Sequence, residues 1–446
     1  MMKLKDNKIF MMGIGGIGVS ALALMCKSLG AQVSGCDKKE SKPILKTLKD
    51  KGIRILPENE YDLKGVDYLV YSNAVPFQHE IIQAAIKAGI SIFKRGEFLG
   101  KFINENKSIA VTGSHGKTTV TFLIGHILKE CNRSPKIYGG GIGLKEESNY
   151  IHGDGDWLVA ELDESDRTFV GAKPTITVIT NMDYEHIDLY KTKKEHTKAF
   201  EEFISGMKAD SVLIINGDDE ELLSISKNNF KGGSLITCGQ GAHNRAKINV
   251  IMNGGTKVEF NHNGRKITLT SGLKGIHNAY NQTFAYFAGI SVGLKPEELI
   301  DSISHFKGVR RRYEILRVLQ NNTEIISDYG HHPTEIKAVL DTVVKDGKNK
   351  IIAVFEPHKN SRLGYFMNDF ASVLQTADKV ICTDIYTAGE GGDVGALMKE
   401  LIEKIGNKAI YVSKNDIMNF VIDNYCKGEK VILFSAGDLD SIFRVQ

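Results

Sequence analysis

Lys117 sits in the run Thr112-Gly113-Ser114-His115-Gly116-Lys117-Thr118-Thr119, directly after the apolar stretch Ile109-Ala110-Val111. Residue types in that order place successive backbone amides, an ammonium and a hydroxyl around one polyphosphate. Lys117 would reach the β- and γ-phosphates, and the Thr118 hydroxyl would ligate Mg2+. The strict form of this loop opens with glycine where the chain has Val111, yet every donor that the chemistry needs is kept. A solvated lysine on a glycine-rich turn is the plain alternative. The strand before the loop and the helical pattern after it favour an ATP site.

A second glycine loop, Gly13-Ile14-Gly15-Gly16-Ile17-Gly18, lies near the start of the chain. It follows the strand-like Lys8–Met12, opens the helix-like Ile17–Leu29, and is answered by Asp37 at the end of the next strand. Glycines in that frame let backbone amides approach a pyrophosphate on a helix N-terminus. A bare tight turn is the competing possibility. Two such loops on one chain suit an enzyme that consumes ATP while holding another nucleotide-linked substrate. A dehydrogenase has no use for the Lys117 loop.

Polar runs follow the strands between these landmarks and the C-terminus. Glu161-Leu162-Asp163-Glu164-Ser165-Asp166 follows Trp157–Leu162, and Asn181-Met182-Asp183-Tyr184-Glu185-His186 follows Thr175–Thr180. Gly217-Asp218-Asp219 follows Ser211–Asn216. Ligands of parallel sheets gather at such strand ends, and Mg2+ takes hard oxygen donors, which suits Glu161. Solvated loops and helix caps would leave the same trace. Asn278 opens a helix beginning near Ala279, where capping and adenine contact are both open. Farther on, Asp328-Tyr329-Gly330-His331-His332-Pro333-Thr334-Glu335 and Glu356-Pro357-His358-Lys359-Asn360-Ser361-Arg362 each follow a strand, and the cations of the latter suit phosphate or carboxylate.

The elements that position these groups alternate short apolar runs with helical patterns, the mark of parallel sheets covered by helices. Further strands are expected at Gln32–Gly35, Tyr68–Ser72, Ser91–Lys94, Ser108–Thr112, Glu324–Ser327, Ile351–Phe355, Lys379–Thr383, Ala409–Val412 and Val431–Ser435. Alternation over Lys247–Thr270 suggests an antiparallel flap on the central sheet. Asn104–Lys107 and the basic Arg310–Arg312 mark boundaries, giving an α/β chain with segments 1–105, 106–312 and 313–446.

Composition agrees. A chain of 446 residues exceeds one hydrophobic core. Its net charge of +3, from 57 basic against 54 acidic residues, gives no field for nucleic acid or anionic membrane. The six cysteines are scattered without metal-ligand spacing, and no apolar run spans a bilayer or ends in a leader cleavage site. A cytoplasmic protein, monomer or homodimer, is expected.

The blocks GIGGIGVSALA (13–23), SNAVP (72–76), RGEFL (95–99), AVTGSHGKTT (110–119), ELDESD (161–166), TNMDYEHIDLY (180–190), GIHNAYN (275–281), FKGVRRRYE (306–314), SDYGHHPTEI (327–336), PHKNSR (357–362) and TDIYTAGE (383–390) stand in an order that resembles the Mur ligases. RGEFL, DYGHHPTE and DIYTAGE are most similar to the branch acting on UDP-N-acetylmuramate and L-alanine. The resemblance implies an N-terminal Rossmann-like domain for the UDP-sugar, a central P-loop ATPase and a C-terminal Rossmann-like domain that closes over the amino acid. It implies that ATP phosphorylates the muramoyl carboxylate and that the amine of L-alanine attacks the acyl phosphate, in the first peptide step of peptidoglycan precursor synthesis.

The same resemblance implies residue roles. Gly113, Ser114, His115, Gly116, Lys117, Thr118 and Thr119 would hold ATP, with Asn278, Arg311 and Asp328 contributing. Thr118 and Glu161 would bind one Mg2+, and His186 would help hold a second. Gly15, Gly16, Ile17, Gly18, Ser20, Asp37, Ser72 and Arg95 would take the UDP-sugar. Tyr329, His331, His358 and Arg362 would face the muramoyl and alanine groups, with Lys117, His186, Arg311 and His331 catalytic. Lys359 and Asn360 stand where the family usually has Arg-Tyr, so a related ligase that recycles murein tripeptide remains open. A nucleotide-binding regulator without catalysis is the third possibility.

Overall fold

The structure is a computed structural model that describes residues 4–38, 43–187, 189–252, 254–319, 322–347, 349–392, 394–425 and 427–444. The chain forms two compact units, one comprising 1–249, 258–270 and 280–307, the other 250–257, 271–279 and 308–446.

The first unit holds two sheets. Lys8–Met12 is the middle strand of a five-stranded parallel sheet ordered Arg54–Leu56, Gln32–Cys36, Lys8–Met12, Tyr68–Tyr71, Ser91–Lys94. The chain builds outward from Lys8–Met12 in both directions, so the loop after that strand lies at the switch point, where a parallel sheet opens a crevice. That loop is Gly13–Gly18.

The eight-stranded sheet repeats this logic around Lys107–Thr112, which lies between Ile176–Ile179 and Trp157–Glu161 in parallel register. Val212–Asn216, Ser234–Gly239 and Ala246–Lys247 extend it on one side, and Lys136–Tyr138 and the antiparallel Tyr150–Ile151 on the other. Its central strands are apolar on both faces, as burial under helices on both sides requires. One hydrophobic cluster runs from Ile9, Met11 and Leu22 through Phe98 and Phe102 to Tyr138, Leu158 and Phe200. The two sheets of this unit therefore share a core.

The second unit carries a six-stranded sheet ordered Glu314–Val318, Glu324–Asp328, Lys430–Ser435, Ile351–Glu356, Lys379–Cys382, Ala409–Tyr411. Glu314–Val318 is antiparallel to its neighbour, and the other pairings are parallel.

Of Lys247–Thr270, expected as a flap on the central sheet, Lys247 ends a strand of that sheet, and the rest forms a separate three-stranded sheet of Asn249–Met252, Thr256–His262 and Arg265–Ser271. Alternation marks a strand with one wet face, but it does not say which sheet pairs with it. The helix expected from Ala279 begins at Ile276, which puts His277 and Asn278 in its first turn. Among the described cysteines, Cys26, Cys36, Cys131, Cys238 and Cys382 are free, while Cys426 lies outside the described residues. No helix of the described residues is long and apolar enough to cross a membrane.

Candidate active site

Strand Lys107–Thr112 ends where Gly113 turns with φ +114°, a backbone geometry that side chains resist. A Cβ there would also stand 2.6 Å from the Asn181 carbonyl oxygen, so only glycine lets this loop pass the neighbouring strand end. Lys117–Glu130 is the helix that follows, and its N-terminal amides face the loop. His115 is placed from two sides: its amide donates to Asn181 Oδ1 at 2.9 Å, and its Nε2 lies 2.8 Å from Asp183 Oδ2.

Lys117 Nζ donates to Glu164 Oε1 at 2.9 Å and to the carbonyls of Gly113 and Ser114 at 2.5 and 3.1 Å. Burial opposes the ammonium, but Glu164, Asp163 and Glu161 outweigh it and hold Lys117 protonated far above neutral pH. His186 Nε2 stands 3.4 Å from the same Glu164 oxygen. Its pKa is raised because the hydrogen bond and charge of Glu164, with Asp163 and Glu185, outweigh burial. His186 reaches this position on a left-handed backbone, φ +54°, in a non-glycine residue. Such strain persists where the surroundings dictate the geometry.

Glu161 ends its strand nearly buried, accepts from the Gly140 amide at 2.8 Å and is hydrogen-bonded by Thr118. Burial pushes its pKa up, against Lys117. One ligand atom from each of Asp163, Glu164 and His186 lies within 4.8 Å of the others, and Glu164 Oε2 is buried without a hydrogen-bond partner among the described residues. An orphaned carboxylate oxygen beside other hard donors, next to a phosphate loop, fits a divalent cation. The sequence resemblance gave Thr118 and Glu161 to one Mg2+ and His186 to a second. The structure pairs Thr118 with Glu161 and groups His186 with Asp163 and Glu164, and Lys117 faces both groups.

The first glycine loop is built by its neighbours. Asp37, expected among the residues that take the UDP-sugar, is buried and accepts from the Gly15 amide at 2.9 Å. Ser20 is fully buried; its hydroxyl donates to Ile17 O at 3.0 Å and accepts from Asn149 Nδ2 at 2.8 Å. Both side chains thus bond to the loop itself. Ser72 lies beneath Gly13, whose added Cβ would be 2.9 Å from Ser72 Cβ. Gly16 donates to Gly13 O at 2.9 Å, and Ile17 is exposed. Arg95 begins a helix, and its guanidinium lies 3.1 Å from Asp163 and donates to Tyr138 Oη at 3.2 Å.

In the second unit, Arg311 adopts φ +59° and donates to the carbonyls of Ser435 and Gly437, the latter at 3.0 Å, with its guanidinium over the Tyr329 ring. Asp328 accepts from the amides of Tyr313 and Gly330 at 2.9 and 2.8 Å. Burial pushes Asp328 up to about 6 despite Arg312. Asn278 turns its amide back on its own turn, donating to Lys274 O at 2.6 Å. His331, Tyr329 and His358 form a chain of ring contacts, His358 stacks on Tyr386, and Arg362 Nη1 lies 3.4 Å from His358 Nδ1. Glu356, fully buried, accepts from Lys414 at 2.6 Å and from Ser435.

Tyr138, Asn149, Lys414 and Glu335 escaped the sequence reading. Tyr138 lies on a three-residue strand and Asn149 in a turn, too short for any periodicity. Glu335 stood inside a quoted motif; it accepts from Arg312 at 3.0 Å and from the His331 amide at 3.1 Å.

The family model described as "Mur ligase family, catalytic domain" matches residues 8–107, "Mur ligase middle domain" residues 111–289, and "Mur ligase, glutamate ligase domain" residues 311–437. The chain belongs to the Mur ligase family. It is thus one of the ATP-dependent ligases. A UDP-N-acetylmuramate–L-alanine ligase from Aquifex aeolicus is 35% identical over 98% of this chain and 97% of its own length. One from Caldicellulosiruptor bescii is 33% identical over 97% of each. Among solved structures, the UDP-N-acetylmuramate-alanine ligase of Thermotoga maritima superposes with a TM-score of 0.81 at 26% identity, covering 98% of this chain and 97% of that one. The murein peptide ligase of Psychrobacter arcticus shares the fold with a TM-score of 0.74 at 20% identity, over 98% and 97% of the two chains. The expected α/β Mur architecture is the one found.

Proposed function

We propose that the protein joins L-alanine to UDP-N-acetylmuramate, with ATP hydrolysed to ADP and phosphate. The observation that carries this reading is the meeting of two phosphate-type loops in one contact network, Gly13–Gly18 and Gly113–Thr119, linked through Arg95 and the acidic run 163–166. Relatives that align end to end supply the acceptor and the sugar nucleotide.

A carboxylate is a poor electrophile, so the muramoyl carboxylate first takes the γ-phosphoryl group of ATP. The amine of L-alanine then attacks the acyl carbon, the amine loses a proton, and phosphate departs. In this reading Gly113, Ser114, His115, Gly116 and Thr119 cradle the phosphates through backbone and side-chain donors, and Lys117 offsets the charge that gathers where two anions meet. Gly15, Gly16, Ile17 and Gly18 receive the UDP pyrophosphate, with Asp37, Ser20, Ser72 and Arg95 holding that loop and its surroundings. Arg311, Asn278 and Asp328 serve ATP, while Tyr329, His331, His358 and Arg362 serve the muramoyl and alanine groups.

Thr118 with Glu161, and His186 with Glu164 and Asp163, are the donor sets for two Mg2+ ions. Bound there, Mg2+ would neutralise phosphate charge and align the γ-phosphate with the carboxylate.

The test is phosphate release and product mass across an acceptor panel with UDP-N-acetylmuramate and ATP. L-Alanine should give turnover and a product heavier by one alanyl residue. Turnover with murein tripeptide and none with L-alanine would transfer the assignment to the recycling reaction, which Lys359 and Asn360 keep in view. Absence of turnover with every acceptor would remove the ligase reading.

A further inference from the structure

The third glycine of the first loop, Gly18, faces the side chains of Arg95 and Tyr138. A Cβ on Gly18 would stand 2.9 Å from Arg95 Cδ and 3.1 Å from Tyr138 Oη. Tyr138 comes from the eight-stranded sheet, is 1% exposed, and donates its hydroxyl proton to the Gly18 carbonyl at 2.9 Å. Tyr138 Oη in turn accepts from Arg95 Nη1 at 3.2 Å. Arg95 Nη2 reaches Asp163 Oδ2 at 3.1 Å and lies 3.9 Å from Asp166. Asp163 belongs to the cluster with Glu164 and His186, and Glu164 grips Lys117. Hydrogen bonds and ion pairs join Gly18 to Tyr138, Tyr138 to Arg95, Arg95 to Asp163 and Glu164 to Lys117, and Asp163 and Glu164 are chain neighbours whose ligand oxygens lie within 4.8 Å of each other, so a contiguous path runs from Gly18 to Lys117.

We propose that Tyr138 and Arg95 are positioning residues that couple occupancy of the Gly13–Gly18 loop to the donor cluster at Lys117, so that sugar nucleotide and ATP bind cooperatively. This rests on the proposed function, because it takes the first loop as the seat of the UDP-sugar. An anion drawn onto the amides of that loop pulls on the first turn of helix Ile17–Ser28, whose Gly18 carbonyl has Tyr138 as its side-chain partner. Tyr138 is closed off from water, so a shift of that carbonyl is followed by the hydroxyl or costs a hydrogen bond. Arg95 cannot follow without moving Asp163, because one guanidinium serves both. Asn149, donating to Ile17 O at 2.7 Å and to Ser20, holds the other side of the turn and confines the shift to the Gly18 side. Thermodynamic linkage makes the effect reciprocal.

The experiment is calorimetric titration of the full chain with the β,γ-imido analogue of ATP and Mg2+, with and without saturating UDP-N-acetylmuramate. Wild type should bind the analogue about tenfold more tightly when the sugar nucleotide is present. Tyr138→Phe, which keeps the ring and removes the hydroxyl, should reduce that ratio to under about twofold while leaving the analogue's affinity alone within about twofold. Arg95→Lys keeps the charge but cannot hold Tyr138 and Asp163 together, and should show the same loss. A bracing role alone would lower the melting temperature and leave the ratio intact, and that result in both variants overturns the relay. No cooperativity in a wild-type protein that turns over L-alanine overturns the relay and leaves the function standing. No binding of UDP-N-acetylmuramate by wild type overturns the function as well.

Discussion

Lys117 Nζ and Glu164 Oε1 stand 2.9 Å apart in a pair whose carboxylate side chain is fully buried. Burial raises the acid, but Lys117 and His186 more than reverse this, so Glu164 is held ionised. Removing the ammonium leaves a buried charge with His186 as its remaining cationic partner within 4 Å among the described residues. Lys117→Met should therefore lose ligase activity and also destabilise the protein by about 3 kcal/mol. Lys117→Met combined with Glu164→Gln should recover more than half of that stability and none of the activity. Urea unfolding of the three proteins measures both effects, and equal midpoints would show that the pair carries no folding energy.

Asp37 makes a distinct prediction because its carboxylate serves the loop from behind. Asp37→Ala orphans the Gly15 amide, and loss of a hydrogen bond to a charged group costs about 1.5–3 kcal/mol. The KM for UDP-N-acetylmuramate should rise roughly tenfold or more, by 1.4 kcal/mol per decade, while the KM for ATP stays near wild type. Initial-rate kinetics with each substrate varied in turn decides this. An equal rise in both would place Asp37 in the general fold rather than in the first loop.

Asp328, which is buried, and His358, which is partly buried, titrate in opposite senses. Burial, aided by His331 and Arg362, depresses His358 to about 3 from 6.5. Below 6.5 the unfolded chain binds a proton that the folded chain refuses, so this group removes stability as pH falls from 6.5 towards 3. Asp328, raised to about 6 from 3.8, does the reverse: its burial penalty is full above 6 and fades as pH falls towards 3.8. Relative to wild type, His358→Gln should gain stability between pH 7 and 5, whereas Asp328→Asn should lose ground over the same interval. Unfolding midpoints at the two pH values test both signs, and parallel shifts of the two variants would refute the assignment.

What was legible in the sequence, and what was not, follows from the range of the interactions. Lys8–Met12 has the ends that its apolar run suggests, because a strand buried under helices carries apolar residues on both faces. The phosphate loop was legible because its donors are consecutive. Tyr138 and Asn149 were not, since each acts on residues more than a hundred positions away, Gly18 and Ile17. That the Asp37 and Ser20 side chains bond to the first loop is visible only in the structure, because their partners, the Gly15 amide and the Ile17 carbonyl, are backbone groups that no residue pattern marks. Beyond Lys247, the run to Thr270 gave the right local conformation and the wrong sheet, because strand pairing is a tertiary choice.

Tyr190 offers a test of how the strained His186 is kept in place. Its hydroxyl donates to the Glu164 backbone carbonyl at 2.7 Å, and its own carbonyl accepts from Tyr184 Oη at 2.7 Å, so one tyrosine joins the His186 loop to the acidic run. The Leu189 and Tyr190 amides both donate to His186 O at 2.9 Å, which ties the left-handed residue to this anchor. Tyr190→Phe keeps the ring among His196, Phe200 and their neighbours and removes only the tether. One buried hydrogen bond is worth about 1 kcal/mol, so the concentration of Mg2+ giving half-maximal rate should rise about fivefold. At saturating Mg2+ the rate should return to within about twofold of wild type, since every donor is still present. A fall in rate that added Mg2+ does not restore would mean that the hydroxyl acts elsewhere than through the donor cluster.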